Sequence, residues 1–221
     1  MKIIPGFLIV IFPGLLGKLG SLHFQRMNYP GVKSLETAFV IYDGMTALDF
    51  VGVYDPLTRL QTMEFMPDFS WEICSFEKKN IKSHSGLDFT VTSCSTELKT
   101  FDLVVIPGGK GTRKLIKQRE FINWLAGAAG SDLIASVCTG VLLVGAAGLL
   151  KDKKATTHPG AYDLLTEYCQ EVSNDRIVDE GSIITAGGVS AALDLGLYLC
   201  EKIAGLDVRE KIARQMDYRK I

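Results

Sequence analysis

Residues 134–143 read Ile134-Ala135-Ser136-Val137-Cys138-Thr139-Gly140-Val141-Leu142-Leu143, and this stretch decides the fold. Residues 133–137 form a short run without charge, the pattern of a strand buried on both faces. Two small residues follow the cysteine, and an apolar run over residues 141–150 then reads as a helix. A buried strand feeding a helix through a tight turn is the repeating unit of a parallel α/β sheet. A cysteine at that turn stands where a nucleophile elbow presents its nucleophile. The free N–H groups and positive end of the helix are expected to lower its pKa below the ordinary ~8.5. The same N–H groups suit a developing negative charge. The alternative is a small buried cysteine filling a gap in the core. The strand end and the Thr-Gly pair favour the chemical role.

The same alternation extends outward in both directions. Residues 35–42 read as a strand ending at the turn Asp43-Gly44, and residues 71–76 as another. Between them residues 48–63 carry helical spacing, with a kink or restart expected at Pro56. Residues 81–84 and 87–92, divided by Ser85-Gly86, read as a hairpin. Residues 102–106 are an apolar strand broken by Pro107-Gly108-Gly109-Lys110-Gly111, and residues 115–129 a helix. A strand is predicted over residues 153–157 and a helix over 161–168. Ile177–Asp179 and Ile183–Ala186 flank Glu180-Gly181 as a second hairpin, and helices over Ala191–Ala204 and residues 208–215 finish the chain. The prediction is a three-layer α/β sandwich with a mostly parallel sheet covered on both faces.

No repeat or linker divides residues 35–221, which read as one domain, with residues 1–34 as an N-terminal extension. Within that extension Lys2 and a short apolar run up to Leu16 resemble a secretory signal. Pro5, Gly6, Pro13 and Gly14 interrupt the run, which is also shorter than the ~20 apolar residues a bilayer requires. The expectation is a leader ahead of a cytoplasmic domain, with export as the alternative.

Composition removes several function classes. Among 221 residues, 24 Lys and Arg against 25 Asp and Glu leave a net charge of −1, without the basic excess of a nucleic-acid binder. Hydrophobic residues at 47% and charged ones at 22% exclude wholesale disorder. The cysteines Cys74, Cys94, Cys138, Cys169 and Cys200 are odd in number and form no CxxC pair. With three histidines in the chain, this argues against a structural zinc site and fits a reducing compartment.

Three further places invite chemistry. Gly108 and Gly109 follow a parallel strand, where α/β sheets bind ligands and where glycine lets the backbone approach one. The string matches neither GxGxxG nor a P-loop, and a structural turn explains it equally well. Gly187-Gly188-Val189 is a similar edge. Asp49, among Ala47, Leu48, Phe50 and Val51, is expected to be partly desolvated, which raises its pKa and suits it to proton transfer. The competing role is helix capping. His158, at another strand end, is taken by default as a hydrogen-bonded structural residue.

The motifs Val105-Ile106-Pro107-Gly108-Gly109-Lys110-Gly111, Ser136-Val137-Cys138-Thr139-Gly140, Ala146-Ala147-Gly148-Leu149-Leu150, Ala155-Thr156-Thr157-His158 and Thr185-Ala186-Gly187-Gly188-Val189-Ser190-Ala191-Ala192-Leu193-Asp194 occur in that order. With them the chain over residues 35–218 resembles the DJ-1/PfpI superfamily, which implies its flavodoxin-like fold. Within it, Thr46-Ala47-Leu48-Asp49-Phe50-Val51-Gly52 and Cys-Thr-Gly at the elbow are similar to the isonitrile hydratase subfamily. The resemblance implies that Cys138 is the nucleophile and Asp49 the acid and base. Gly108, Gly109, Thr139 and Gly188 would line the pocket, with the Gly109 amide as an oxyanion donor, and His158 and Asp194 would stand behind them. It further implies a homodimer acting on a small-molecule substrate, with no cofactor, metal, nucleic acid or membrane partner. Thr139 stands where the protease branch has a histidine, which argues against peptide hydrolysis. Met45 and Val53-Tyr54 depart from the hydratase surroundings, where Gly-Pro commonly follows the aspartate, and leave the substrate open. The superfamily domain also occurs in AraC-type regulators fused to a helix-turn-helix, and no such module is expected here. The alternatives are a redox or small-ligand sensor, and a glyoxalase or deglycase-like enzyme, which the Asp in place of Glu disfavours.

Overall fold

The computed structural model describes residues 34–219, so the expectations for residues 1–33 lie outside it. The apolar runs pair as parallel strands: β1 (Glu36–Val40), β2 (Ser70–Ser75), β6 (Leu103–Ile106), β7 (Leu133–Val137) and β11 (Ile183–Ala186). Their order is β2-β1-β6-β7-β11. The two-residue β5 (Ser93–Cys94) extends the β2 edge, and β10 (Ile177–Asp179) pairs antiparallel on the other. β6 is buried along its whole length and β7 apart from Leu133, as expected for central strands covered on both sides. The hairpin of β3 (Asn80–Lys82) and β4 (Asp88–Thr90) forms where Ser85-Gly86 predicts it. A separate parallel pair joins β8 (Lys154–Ala155) to β9 (Glu171–Val172).

The helices fall into two groups. α1 (Ala47–Thr62), α6 (Ala191–Ala204) and α7 (Leu206–Gln215) pack on one another, and α2 (Thr112–Leu115), α3 (Arg119–Ala126), α4 (Gly140–Ala146) and α5 (Tyr162–Leu165) form the second set. With the sheet between, these give the α/β layers predicted. None of these helices is long and apolar enough to cross a membrane.

Several boundaries differ from the sequence expectations. Pro56 does not restart α1, which runs through it. The N–H that proline lacks leaves the Gly52 carbonyl to face α6, where a Cβ at Gly196 would lie 3.0 Å from Gly52 O and 2.9 Å from Pro56 Cγ. The helix expected over residues 115–129 is two, because Gln118 is extended and restarts the chain so that Phe121 and Leu125 turn inward. α4 stops at Ala146, ended by Gly148 in the left-handed conformation at φ +80°. The predicted strand over 153–157 pairs only at β8, and residues 159–161 form a 3-10 turn before a single-turn α5.

Candidate active site

Strand order reverses between β1 and β6: β1 is followed by β2 on one side of it, β6 by β7 on the other. A crevice opens beyond the carboxyl ends of the strands at such a switch point. Three connections meet there, after β1, β6 and β7. The loop after β6 is locked onto the turn after β1 by Thr46 N–H donating to Gly108 O (2.8 Å) and Gly111 N–H donating to Gly44 O (3.1 Å). Gly109 bridges Met45 and has φ +136°, a conformation open to glycine.

Cys138 directly follows β7 in the left-handed region, at φ +57°, and residues other than glycine are held there only by their surroundings. Its N–H is shared between Ala186 O (3.0 Å) and Gly187 O (2.9 Å), and Thr157 Oγ1 donates to its carbonyl at 2.7 Å. The β11 end and the segment after β8 therefore hold the elbow on both flanks. Gly140 is required next, because a Cβ there would lie 2.7 Å from the Ile106 carbonyl.

Asp49 sits in the first turn of α1 with no exposed surface. It does not cap the helix; the N-cap is Thr46, and Asp49 Oδ2 instead accepts the Gly108 N–H at 3.1 Å. Its Oδ1 is buried without a well-formed hydrogen bond. Gly108 wedges between the two reactive groups, since a Cβ on it would lie 2.8 Å from both Asp49 Oδ2 and Cys138 Cβ and 2.6 Å from Thr139 N. Burial pushes the Asp49 carboxyl up to about 7, opposed by its hydrogen bonds with the Cys138 thiol and Gly108.

The thiol behaves opposite to expectation. Burial, and next the neighbouring Asp49 charge, push Cys138 up to about 12. The Thr139 N–H and hydroxyl pull the other way and lose. A seven-residue α4 offers only partial charges, whereas Asp49 offers a full like charge in a dry site. Burial and the carboxyl beside it thus keep the proton on the sulfur and disfavour a resting thiolate.

Asp49, Cys138, Gly108, Gly109 and Thr139 are brought together. The Gly109 N–H, expected to face an oxyanion, donates to Thr139 Oγ1 at 2.9 Å. Gly188 and His158 form a neighbouring pair beyond β11: a Cβ on Gly188 would lie 2.9 Å from His158 Cδ2, and His158 Nδ1 accepts the Gly160 N–H. Asp194 is bound by Arg176 and by the Tyr218 hydroxyl rather than by Asp49 or Cys138. Sequence reasoning missed Thr157, which holds the elbow carbonyl. It also missed Tyr42, whose buried hydroxyl donates to Pro107 O at 2.6 Å. Both looked like ordinary strand residues, and no local signal marks them. A cavity of about 270 Å³ has Tyr42 and Gly111 in its wall with Phe76 and Phe121, but neither Asp49 nor Cys138 lines it. Among the described residues no cluster of three or more His, Cys, Asp or Glu could hold a metal ion.

A profile of the DJ-1/PfpI family matches residues 36–202. Isonitrile hydratase of Pseudomonas putida is 31% identical over 186 residues, 84% of this chain and 79% of that protein. DJ-1alpha of Drosophila melanogaster is 28% identical over 85% of this chain and 80% of its own. The crystal structure of a THiJ/PfpI family protein from Pseudomonas syringae superimposes with a TM-score of 0.77 at 28% identity, covering 95% of this chain and 84% of that one.

Proposed function

The chain belongs to the DJ-1/PfpI family, and from that premise we propose that it is an enzyme adding water to an isonitrile to give an N-substituted formamide. The observation that carries the proposal is that the buried Cys138 and Asp49 meet around Gly108, where a Cβ would lie 2.8 Å from both Asp49 Oδ2 and Cys138 Cβ, so that thiol and carboxyl stand side by side out of water. An isonitrile carbon must receive both a sulfur and a proton, and this pair supplies both. As the Cys138 sulfur bonds to the terminal carbon of R–NC, its proton passes through Asp49 to that carbon, leaving the thioimidate R–N=CH–S–Cys138. The Asp49 carboxylate then takes a proton from water as the oxygen adds to the same carbon and passes that proton to the nitrogen, giving R–NH–CH(OH)–S–Cys138 with Asp49 again ionised. Collapse breaks the C–S bond, releases R–NH–CHO and returns the proton to the sulfur.

Similarity to a hydratase of Pseudomonas putida supports this chemistry, as does Thr139 in place of a histidine after the nucleophile. A redox sensor requires a readily formed thiolate, and the raised Cys138 thiol works against that role. We place the enzyme in the cytosol as a homodimer. The test is formamide formation from a panel of small and bulky isonitriles. Cys138→Ala should abolish it, Asp49→Asn should lower it by ~10²–10⁴-fold, and the double variant should be no worse than Cys138→Ala. Wild type no faster than Cys138→Ala on every isonitrile would overturn the assignment.

A further inference from the structure

Tyr42 follows β1 with its ring buried and its hydroxyl turned to the loop after β6. The phenol O–H donates to Pro107 O at 2.6 Å. That carbonyl belongs to the same peptide group as the Gly108 N–H, which donates to Asp49 Oδ2 at 3.1 Å. One peptide plane therefore joins Tyr42 to the carboxyl in a continuous line of hydrogen bonds. A donor on the carbonyl oxygen draws electron density through the amide and makes its N–H a stronger donor, by about 10–30% per bond. The plane cannot swing away, because Gly108 O is held by Thr46 N–H and Gly109 bridges Met45.

Besides the Gly108 N–H, the Cys138 thiol is the group that stabilises the ionised form. Asp49 Oδ1 has no well-formed partner, and Cys138 and Tyr42 are the titratable side chains acting on the carboxyl. From α6, packed on the same helix, the side chain nearest Gly52 is the uncharged Ala192. Burial and the charges of Asp49 and Cys138 keep the phenol protonated well above its ordinary range, so Tyr42 remains a donor.

We propose that Tyr42 is a positioning residue for Asp49, acting through the Pro107–Gly108 peptide to set how strongly the carboxylate is hydrogen-bonded. The proposal deepens the assignment of Asp49 as the proton carrier for Cys138 and rests on it for its catalytic meaning. The test, however, reads Asp49 directly. In full-length protein labelled with 13C at the aspartate carboxyl, the Asp49 signal is the one missing from Asp49→Asn, and its titration is followed by NMR. Tyr42→Phe should raise the Asp49 midpoint by roughly 0.1–0.7 pH units, the stated fraction of a charge-assisted hydrogen bond. Site-specific 3-fluorotyrosine at position 42 keeps the ring and makes a stronger donor, so the midpoint should fall. An Asp49 midpoint unmoved by the fluorinated residue, or moved the same way by both changes, overturns the proposal. If Tyr42→Phe does not fold, the fluorinated protein decides alone. Opposite shifts in a protein that hydrates no isonitrile would support the relay while refuting the hydratase assignment.

Discussion

Replacing Asp49 by Asn should change how the stability of the fold depends on pH. Asp49 is wholly buried, and its carboxyl is raised from 3.8 to about 7. In the unfolded chain it ionises near ~3.9. Between those values the native protein keeps a proton that the unfolded chain has lost, so stability falls as pH rises. The contribution is whole below about pH 4 and gone above about pH 7. A gap of about 3 in pKa, at ~1.4 kcal/mol for each, gives a ceiling of about 4 kcal/mol. That is a large part of the ~5–15 kcal/mol by which folded proteins are stable. Asp43, Asp175 and Asp179 are lowered and act with the opposite sign at the acid end, but both proteins share them and they cancel in the comparison. The assay is urea denaturation of wild type and Asp49→Asn at intervals from about pH 4 to about pH 8. The stability of the variant relative to wild type should climb with pH by about 2–4 kcal/mol and level off past neutrality. A flat difference would refute the raised carboxyl. A falling one would mean that the partners hold Asp49 ionised.

Three further outcomes follow from the same geometry. Gly108→Ala, which drives a Cβ between Asp49 Oδ2 and Cys138 Cβ, should cost ~1–3 kcal/mol in denaturant melts. By parting the pair it should also slow formamide production ~10²-fold or more in the isonitrile assay. In limited iodoacetamide labelling at neutral pH, the buried Cys138 should lag behind the partly exposed Cys94 and Cys169, and Asp49→Asn should speed its labelling by removing the neighbouring charge. Peptide mapping that finds Cys138 labelled first in wild type would contradict a raised thiol. Asp194→Ala removes the acceptor of Arg176 and the Tyr218 hydroxyl and should cost ~1–3 kcal/mol in thermal melts. Because Asp194 stands apart from the pair, the NMR titration of Asp49 should not move.

Much of this was legible in the sequence. The apolar runs that became β1, β6, β7 and β11 announce a parallel sheet because burial on both faces leaves no room for alternation. The elbow was visible in Val137-Cys138-Thr139-Gly140, since only a small residue tolerates the approach of Gly140 to the Ile106 carbonyl. The hairpins were read from their Ser-Gly and Glu-Gly turns. Less legible were short elements whose pairing comes from elsewhere: β5 and β9 have two residues each, too few for any periodicity. The break at Gln118 was likewise hidden, because the need to turn Phe121 and Leu125 into the core overrides a locally acceptable helix.

The sequence by itself determined the layered sheet, the place of Cys138 at a strand end and the desolvated surroundings of Asp49. Each depends on residues within a few positions, where propensity and apolar spacing act directly. Only the tertiary structure decided that Asp49 and Cys138 meet around Gly108, that Asp194 bonds instead to Arg176 and Tyr218, and that hydrogen bonds through one peptide link Tyr42 to the carboxyl. It also reversed the expected shift of the thiol. Local sequence supplies the helix dipole that favours a thiolate, but the buried charge that opposes it arrives from another strand's connection. Packing decides both how far the thiol is removed from water and which charge stands beside it, and here burial first and the Asp49 charge second outweigh the partial charges of the helix end.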